Sequence, residues 1–293
     1  MNLPEIVYFK ITSKCNHNCR YCYDVKNSVD LDFEGVKKII VHLKKNCVKG
    51  VVLSGGEPLI REDASKIIEE IKKNGMNVYL DTNGDFFFRH KGAINKFVDV
   101  LGLPLDYSSE KLNYRSKENF GNVIKILDYY QSISKKPKLR IGTVITKENI
   151  SDLSNIAEIL KNYRINSWKI YQFIPIGPNA EANQKELEIE TKSFEEATLP
   201  IKNNYSKYFK IILSKRKQRA AAYFFIDSNG SVFMPKDDPE QTGYIVLGSV
   251  FDPDTTKKWW GVANKKNYME NAEATLNYKF KVSPKHLNNH FFA

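Results

Sequence analysis

Residues 6–22 read Ile6-Val-Tyr-Phe-Lys-Ile-Thr-Ser-Lys-Cys15-Asn-His-Asn-Cys19-Arg-Tyr-Cys22. A run rich in β-branched and aromatic residues predicts a strand over Ile6–Ile11. The cysteines follow at CxxxCxxC spacing, so their loop lies at the C-terminal end of that strand, where parallel α/β sheets build their sites. Three thiolates can hold three irons of a cubic [4Fe–4S] cluster and leave the fourth iron open for chemistry. A zinc ion is the alternative. A structural zinc takes four ligands, and His17, which would supply the fourth, sits inside the tight loop where a convergent tetrahedron is awkward.

Outward from this loop, short β-rich runs alternate with helical patterns as far as Phe173. The runs are Ile6–Ile11, Val51–Ser54, Asn77–Asp81, Val98–Pro104, Leu139–Ile145 and Ser167–Phe173. Between most of them apolar residues recur at i, i+3, i+4 and i+7, the stripe of a helix lying on a sheet. The stripes are Val36, Ile39, Ile40, Leu43; Ala64, Ile67, Ile68, Ile71; Phe120, Val123, Ile124, Leu127; and Leu153, Ile156, Ala157, Leu160. A short segment near Arg89–Lys96 has a poorer pattern. Gly75 is the expected helix C-cap. Strand–helix repetition of this kind requires a parallel sheet with right-handed crossovers. Six strands are too few for an eight-stranded barrel. The expected fold is therefore α/β: an open, partial (β/α)6 TIM-like barrel over residues 1–180, with its site at the C-terminal strand edge. Residues 181–293 form a small C-terminal α+β extension. There Glu186–Asn204 contains a helix, Ser228-Asn229-Gly230 joins Tyr223–Asp227 to Ser231–Met234 as a hairpin, Tyr244–Leu247 is a further strand, and Asp254–Gly261 a short helix. From Asn264 on there is no clean periodicity.

Polar and glycine-rich segments end several of these strands. Ser54-Gly55-Gly56-Glu57-Pro58 combines glycines that allow close backbone approach with a carboxylate able to accept from an ammonium group. Asp81-Thr82-Asn83-Gly84 offers polar side chains suited to a ribose or carboxylate. In isolation either segment is also an ordinary turn. On the fifth strand Arg140, Gly142 and Val144 share one face and Leu139, Ile141, Thr143 and Ile145 the other. On the sixth, Lys169 and Tyr171 share a face. A lysine in an apolar strand is costly to bury unpaired, so Lys169 either meets an anion in a cavity or lies on a wet edge strand. Arg115 is an anion-binding candidate or a solvated loop residue.

The run Cys15, Cys19, Tyr21, Cys22, followed in order by Gly55-Gly56-Glu57-Pro58 and Thr82-Asn83-Gly84, resembles the radical S-adenosylmethionine (SAM) superfamily over residues 5–175. The resemblance implies an enzyme in which Cys15, Cys19 and Cys22 bind a [4Fe–4S] cluster whose open iron is chelated by SAM. Reductive cleavage of SAM then gives a 5′-deoxyadenosyl radical that abstracts hydrogen from a substrate. Tyr21, Ser54, Gly55, Gly56, Glu57, Thr82, Asn83 and Thr143 would shape the SAM site. Lys169 and Tyr171, with Arg115 and Arg140, would serve the substrate. Leu105-Asp106-Tyr-Ser-Ser-Glu110, Ile141–Ile145 and Trp168–Gln172 are similar to viperin and its prokaryotic relatives, which act on nucleoside triphosphates. In that family the lysine matching Lys169 touches the phosphates. Ser167 replaces an arginine of that pattern, Pro104 a serine, and the loop around Arg115 lacks its glycines. The hairpin 223–234 and Trp259-Trp260 resemble SPASM or twitch appendages, but without their cysteines.

The totals are consistent with this reading. The chain has 293 residues, 42% of them hydrophobic, enough for a sizeable core. Its four cysteines, three of them clustered, suit a reducing compartment rather than a disulfide framework. Cys47 is expected to be a buried or half-buried thiol. Neither a membrane span nor a signal peptide is apparent, so a cytoplasmic location is expected. The net charge of +11 arises from 45 basic and 34 acidic residues. It fits either an acidic partner, such as a reducing flavodoxin or ferredoxin, a nucleotide or an RNA, or simply a lysine-rich surface. The substrate classes left open are a small molecule or nucleotide, and a peptide or RNA. A non-enzymatic iron–sulfur or zinc protein is the alternative from a different class.

Overall fold

The computed structural model describes residues 2–23, 29–110, 115, 118–134, 137–236 and 243–276. Strand β1 (Ile6–Lys10) leads through the cysteine loop to α1 (Phe33–Lys45) and β2 (Gly50–Ser54). There follow α2 (Ala64–Lys73), β3 (Asn77–Asp81), α3 (Phe87–Phe97), β4 (Val100–Pro104), α4 (Asn119–Gln131), β5 (Lys138–Ile145), α5 (Leu153–Leu160) and β6 (Ser167–Gln172). Neighbouring strands from β1 to β6 pair in parallel in sequence order. The helical stripes bury as their spacing predicts: Val36, Ile39, Ile40 and Leu43 of α1, and Leu153, Ile156, Ala157 and Leu160 of α5, are inaccessible or nearly so. In α4 the stripe is rotated, with Val123, Ile126, Leu127 and Tyr130 facing the core.

Two further short helices, α6 (Pro178–Ala182) and α7 (Gln184–Leu187), precede α8 (Thr191–Tyr205). The chain then adds β7 (Lys210–Ser214), parallel to β6, which extends the expected six-strand run by one. A 3₁₀ turn at Arg216–Arg219 leads to β8 (Phe225–Ile226), β9 (Ser231–Pro235) and β10 (Tyr244–Ser249), then α9 (Pro253–Val262) and α10 (Lys265–Leu276). Strand β8 pairs in parallel with β1, and β9 and β10 continue antiparallel. One ten-stranded sheet results, ordered β10-β9-β8-β1-β2-β3-β4-β5-β6-β7 and not closed on itself. The expected hairpin is present: Gly230, at φ +86°, makes the turn between β8 and β9. Helix α10 had no sequence signal. It crosses the amino-terminal end of the sheet, where the Tyr268 hydroxyl accepts from Ile6 N at 2.8 Å and Lys210 Nζ donates to Ala274 O at 3.1 Å.

Cys47 corrects an expectation, because its thiol is exposed. It follows the C-cap Asn46 at φ +65°, the left-handed position usually held by glycine, while Val48 N closes the turn onto Leu43 O at 3.1 Å. That geometry turns the side chain to solvent. The positions 111–114, ahead of Arg115, and those beyond 276 lie outside the described residues. Among the described residues no helix is long and apolar enough to cross a membrane.

Candidate active site

Among the described residues the cysteine loop contains no helix or strand, so neighbouring elements set its shape. Asp30 accepts from Thr12 Oγ1 at 2.5 Å and Ser13 N at 2.8 Å. Gly56 N and Glu57 N, after β2, donate to Thr12 O at 3.0 Å and Lys14 O at 2.8 Å. Asn179 of α6 donates to Cys19 O at 3.1 Å, and Arg20 reaches Asn183 and Glu148 at 3.0 Å each. Within this frame Cys19 is buried and Cys15 and Cys22 are half-buried. Burial pushes the Cys19 thiol up to about 11; the Arg115 guanidinium opposes the rise, and the thiols of Cys22 and Cys15 add to it.

Gly55 and Gly56 bring backbone close to backbone. A Cβ on Gly56 would fall inside the van der Waals envelope of Lys14 O, and one on Gly55, at φ +145°, inside that of Thr12 O. The approach expected toward a ligand is thus first an approach to the cysteine loop. Gly56→Ala should break both backbone hydrogen bonds, destabilising by about 2–3 kcal/mol and lowering iron uptake on reconstitution, measured by thermal melting and iron assay. Glu57 is fully buried. Its carboxylate accepts from Leu59 N at 2.9 Å, Thr82 Oγ1 at 2.6 Å and Asn83 N at 2.7 Å. Burial pushes it up to about 7 against these three bonds. Glu57, Thr82 and Asn83 thus join the loops after β2 and β3, and Asn83 Nδ2 donates to Asn16 Oδ1 in the cysteine loop at 2.9 Å. Ser54 Oγ, at the end of β2, is buried and has no hydrogen-bond partner among the described residues.

Tyr21 and Arg115 converge on one carboxylate. The Tyr21 hydroxyl donates to Asp106 Oδ2 at 2.5 Å and Arg115 Nε to the same oxygen at 2.7 Å, while the guanidinium lies 5.3 Å from the Tyr21 ring centroid. Val144 N holds the other oxygen at 2.8 Å. Arg115, expected on the substrate side, is thus taken up by Asp106 and the Tyr21 ring, within electrostatic reach of Cys19. Thr143 is fully buried, and its hydroxyl donates to Leu105 O at 2.6 Å and accepts from Trp168 Nε1 at 2.8 Å, so its hydrogen bonds are spent within the fold.

The opposite face of β5 and β6 lines the interior. The Arg140 guanidinium pairs with Asp81, and Gly102, between them, leaves room for the pair. Lys169 Nζ donates to Thr275 Oγ1 of α10 at 2.6 Å and lies 4.7 Å from the Tyr171 ring centroid. Burial and the guanidiniums of Arg140 and Arg219 hold its ammonium well below the ordinary lysine range. Arg219, on the 3₁₀ turn after β7, was not singled out by sequence. It sits 5.6 Å from the Tyr171 ring centroid and donates to Gln172 O, while its Nε is buried with no partner among the described residues. Burial pulls it down to about 10. Lys10 reaches Asp227 at 3.0 Å. A cavity of about 430 Å³ opens beside Lys169, Ser214 and Asn271, and Ser214 Oγ is likewise buried without a partner among the described residues.

A family profile described as the radical SAM superfamily matches residues 9–160. An S-adenosylmethionine-dependent nucleotide dehydratase of Flammeovirga pacifica is 23% identical over 250 residues, covering 79% of this chain and 83% of the relative. A GTP 3′,8-cyclase of Limosilactobacillus fermentum is 29% identical over 197 residues, covering 63% of this chain but only 58% of the relative. Among solved structures, SuiB of Streptococcus suis bound to S-adenosylmethionine aligns with a TM-score of 0.64 at 15% identity, covering 79% of this chain and 60% of that one. Native anSMEcpe with bound AdoMet and a Cp18Cys peptide aligns with a TM-score of 0.64 at 15% identity, covering 89% and 81%. These structural likenesses are likenesses of fold, an open partial barrel.

Proposed function

Because the chain belongs to the radical SAM superfamily, we propose that it cleaves S-adenosylmethionine reductively at a [4Fe–4S] cluster and uses the radical on an anionic small molecule, a nucleoside triphosphate. The donor set suits the cluster: three thiols in one loop, held from both sides. His17 is turned onto Asp85 at 2.6 Å, which does not favour it as the fourth ligand of a zinc ion. The Ser54 hydroxyl beside the loop, buried with no partner among the described residues, is a hydrogen-bonding group that suits a ligand. When bound, cluster and SAM would supply an electron and the 5′-deoxyadenosyl radical.

The chain's own residues do the rest. Cys15, Cys19 and Cys22 would hold the irons. Glu57, Thr82 and Asn83 fix the loops around SAM, Ser54 offers a hydroxyl, and Tyr21, Asp106 and Arg115 form its far wall with a charge for a carboxylate. One observation carries the substrate class: among the described residues Arg140, Lys169 and Arg219 gather in one part of the interior, Asp81 is taken up by Arg140, and Arg219 Nε is buried with no partner, while Glu270 and Glu273 lie on the wall of the cavity beside Lys169. Three basic groups brought together in this way suit an anion, which would also favour the charged form of Lys169. The dehydratase and the cyclase, both named for nucleotides, point the same way. The aromatic wall of Tyr8, Tyr223 and Phe225 would exclude water from the reacting carbon. An acidic flavodoxin or ferredoxin in a reducing compartment would be the electron donor.

The test is anaerobic reconstitution followed by SAM and dithionite, with each nucleoside triphosphate in turn. Formation of 5′-deoxyadenosine should rise about tenfold or more with one of them, as correct substrate binding completes the site. Cleavage that no triphosphate stimulates would overturn the substrate class while leaving the superfamily chemistry intact.

A further inference from the structure

Asp85 follows the Thr82-Asn83-Gly84 turn and belongs to none of the motifs above. Its Oδ2 accepts from Asn16 Nδ2 at 2.7 Å and is 2.6 Å from His17 Nε2, both in the cysteine loop. Its Oδ1 accepts from Asn122 Nδ2 of α4 at 3.0 Å, and its own N–H donates to Asn83 Oδ1 at 3.0 Å. Asn119, one turn earlier in α4, donates to Asn83 O at 2.7 Å. One carboxylate thus ties the stretch between Cys15 and Cys19 to the β3 loop and to a helix packed in the core. The later part of the loop is held separately, by Asn179, Asn183 and Glu148.

We propose that Asp85 is the positioning residue of the cysteine loop: it fixes Asn16 and His17, and through them the place of the Cys15 thiol relative to those of Cys19 and Cys22. The proposal rests on the cluster reading above. The side chain of His17 is 1% exposed and that of Asp85 16%, so the pair is largely turned away from solvent. Asp85 acts by holding, as outer partners of metal ligands do. A carboxylate is needed because three donors converge on two oxygens. Asparagine has one oxygen, and its NH₂ would face either Asn122 or the loop donors.

The experiment uses anaerobically reconstituted wild type, Asp85→Asn, His17→Ala and the double variant. The rate of iron transfer to a ferrous chelator is measured beside the melting of each metal-free form. Asp85→Asn should release iron about tenfold faster or more, with the metal-free protein melting within about 3 °C of wild type. The double variant should be no faster than the faster single, since both act along one path. Iron release at the wild-type rate overturns the proposal. So does a metal-free melting point that falls in step with iron loss, which would make Asp85 a general fold contact. Wild type that takes up no four-iron cluster sinks the cluster reading itself, and this proposal with it.

Discussion

Cys19→Ala, reconstituted anaerobically with iron and sulfide, should give no detectable 5′-deoxyadenosine, while Cys47→Ala retains wild-type iron and activity. Both changes remove one thiol, and their surroundings decide the outcome. Cys19 is 8% exposed, packed near Tyr21, Phe173, Ala180 and Leu187. Its backbone carbonyl is tied down by Asn179 and Cys22 N. With two thiolates instead of three, the loop would no longer supply a ligand for each of three irons. The metal-free variant should remain folded, since loss of one small buried side chain in a loop costs about 1–2 kcal/mol. Cys47, beyond the end of α1, touches none of this; its replacement is predicted to matter only through its left-handed backbone. The checks are iron and sulfide assays, product chromatography and melting. Wild-type cleavage by Cys19→Ala, or loss of iron in Cys47→Ala, would mean that the cluster is held elsewhere.

How far the sequence reached depended on whether a feature is local. Strands of the parallel sheet are short apolar runs, and the helices between them carry stripes that bury one face, so the partial barrel was legible from period alone. Strand β7 was missed because Lys210-Ile-Ile-Leu-Ser is brief and lies in a region without alternation. Helix α10 was missed because its buried face includes Asn271 and Thr275, polar residues that break an apolar stripe yet bond to Gln218 O and Lys169. The facing of β5 was not legible for a related reason. A central parallel strand is buried on both faces, so nothing in Leu139–Ile145 says which face meets the helices. The cysteine, Gly-Gly-Glu and Thr-Asn motifs were legible as a set; the hydrogen bonds by which Glu57 and Asn83 join neighbouring loops were not. Asp85 carried a weak signal, a carboxylate just after a strand-end turn. Arg219 carried none, since Lys215-Arg-Lys-Gln-Arg219 reads as a solvated basic turn and only the tertiary approach to Tyr171 and Tyr223 gives it meaning.

Arg219→Met should raise the KM for the stimulating triphosphate by about 30-fold or more, the loss expected when one member of a desolvated charge contact is truncated. The same variant should load iron normally and melt no lower than wild type. The second expectation separates function from structure. In the ligand-free protein the guanidinium donates to Gln172 O and lies over Tyr171, contacts worth about 1–3 kcal/mol together. Against them stand the desolvation of a cation whose Nε has no partner among the described residues, and repulsion from Arg216. Arg219 is half-buried with its Nε sealed from solvent, so that cost is at least comparable to those contacts. Methionine keeps the aliphatic stem and discards the charge, so the free protein gains or breaks even while the complex with an anion loses. A residue retained only for packing would behave in the opposite way. If Arg219→Met lowers the melting point by more than about 3 °C and leaves the KM unchanged, Arg219 is a structural contact, and the anionic character assigned to the substrate loses its main support.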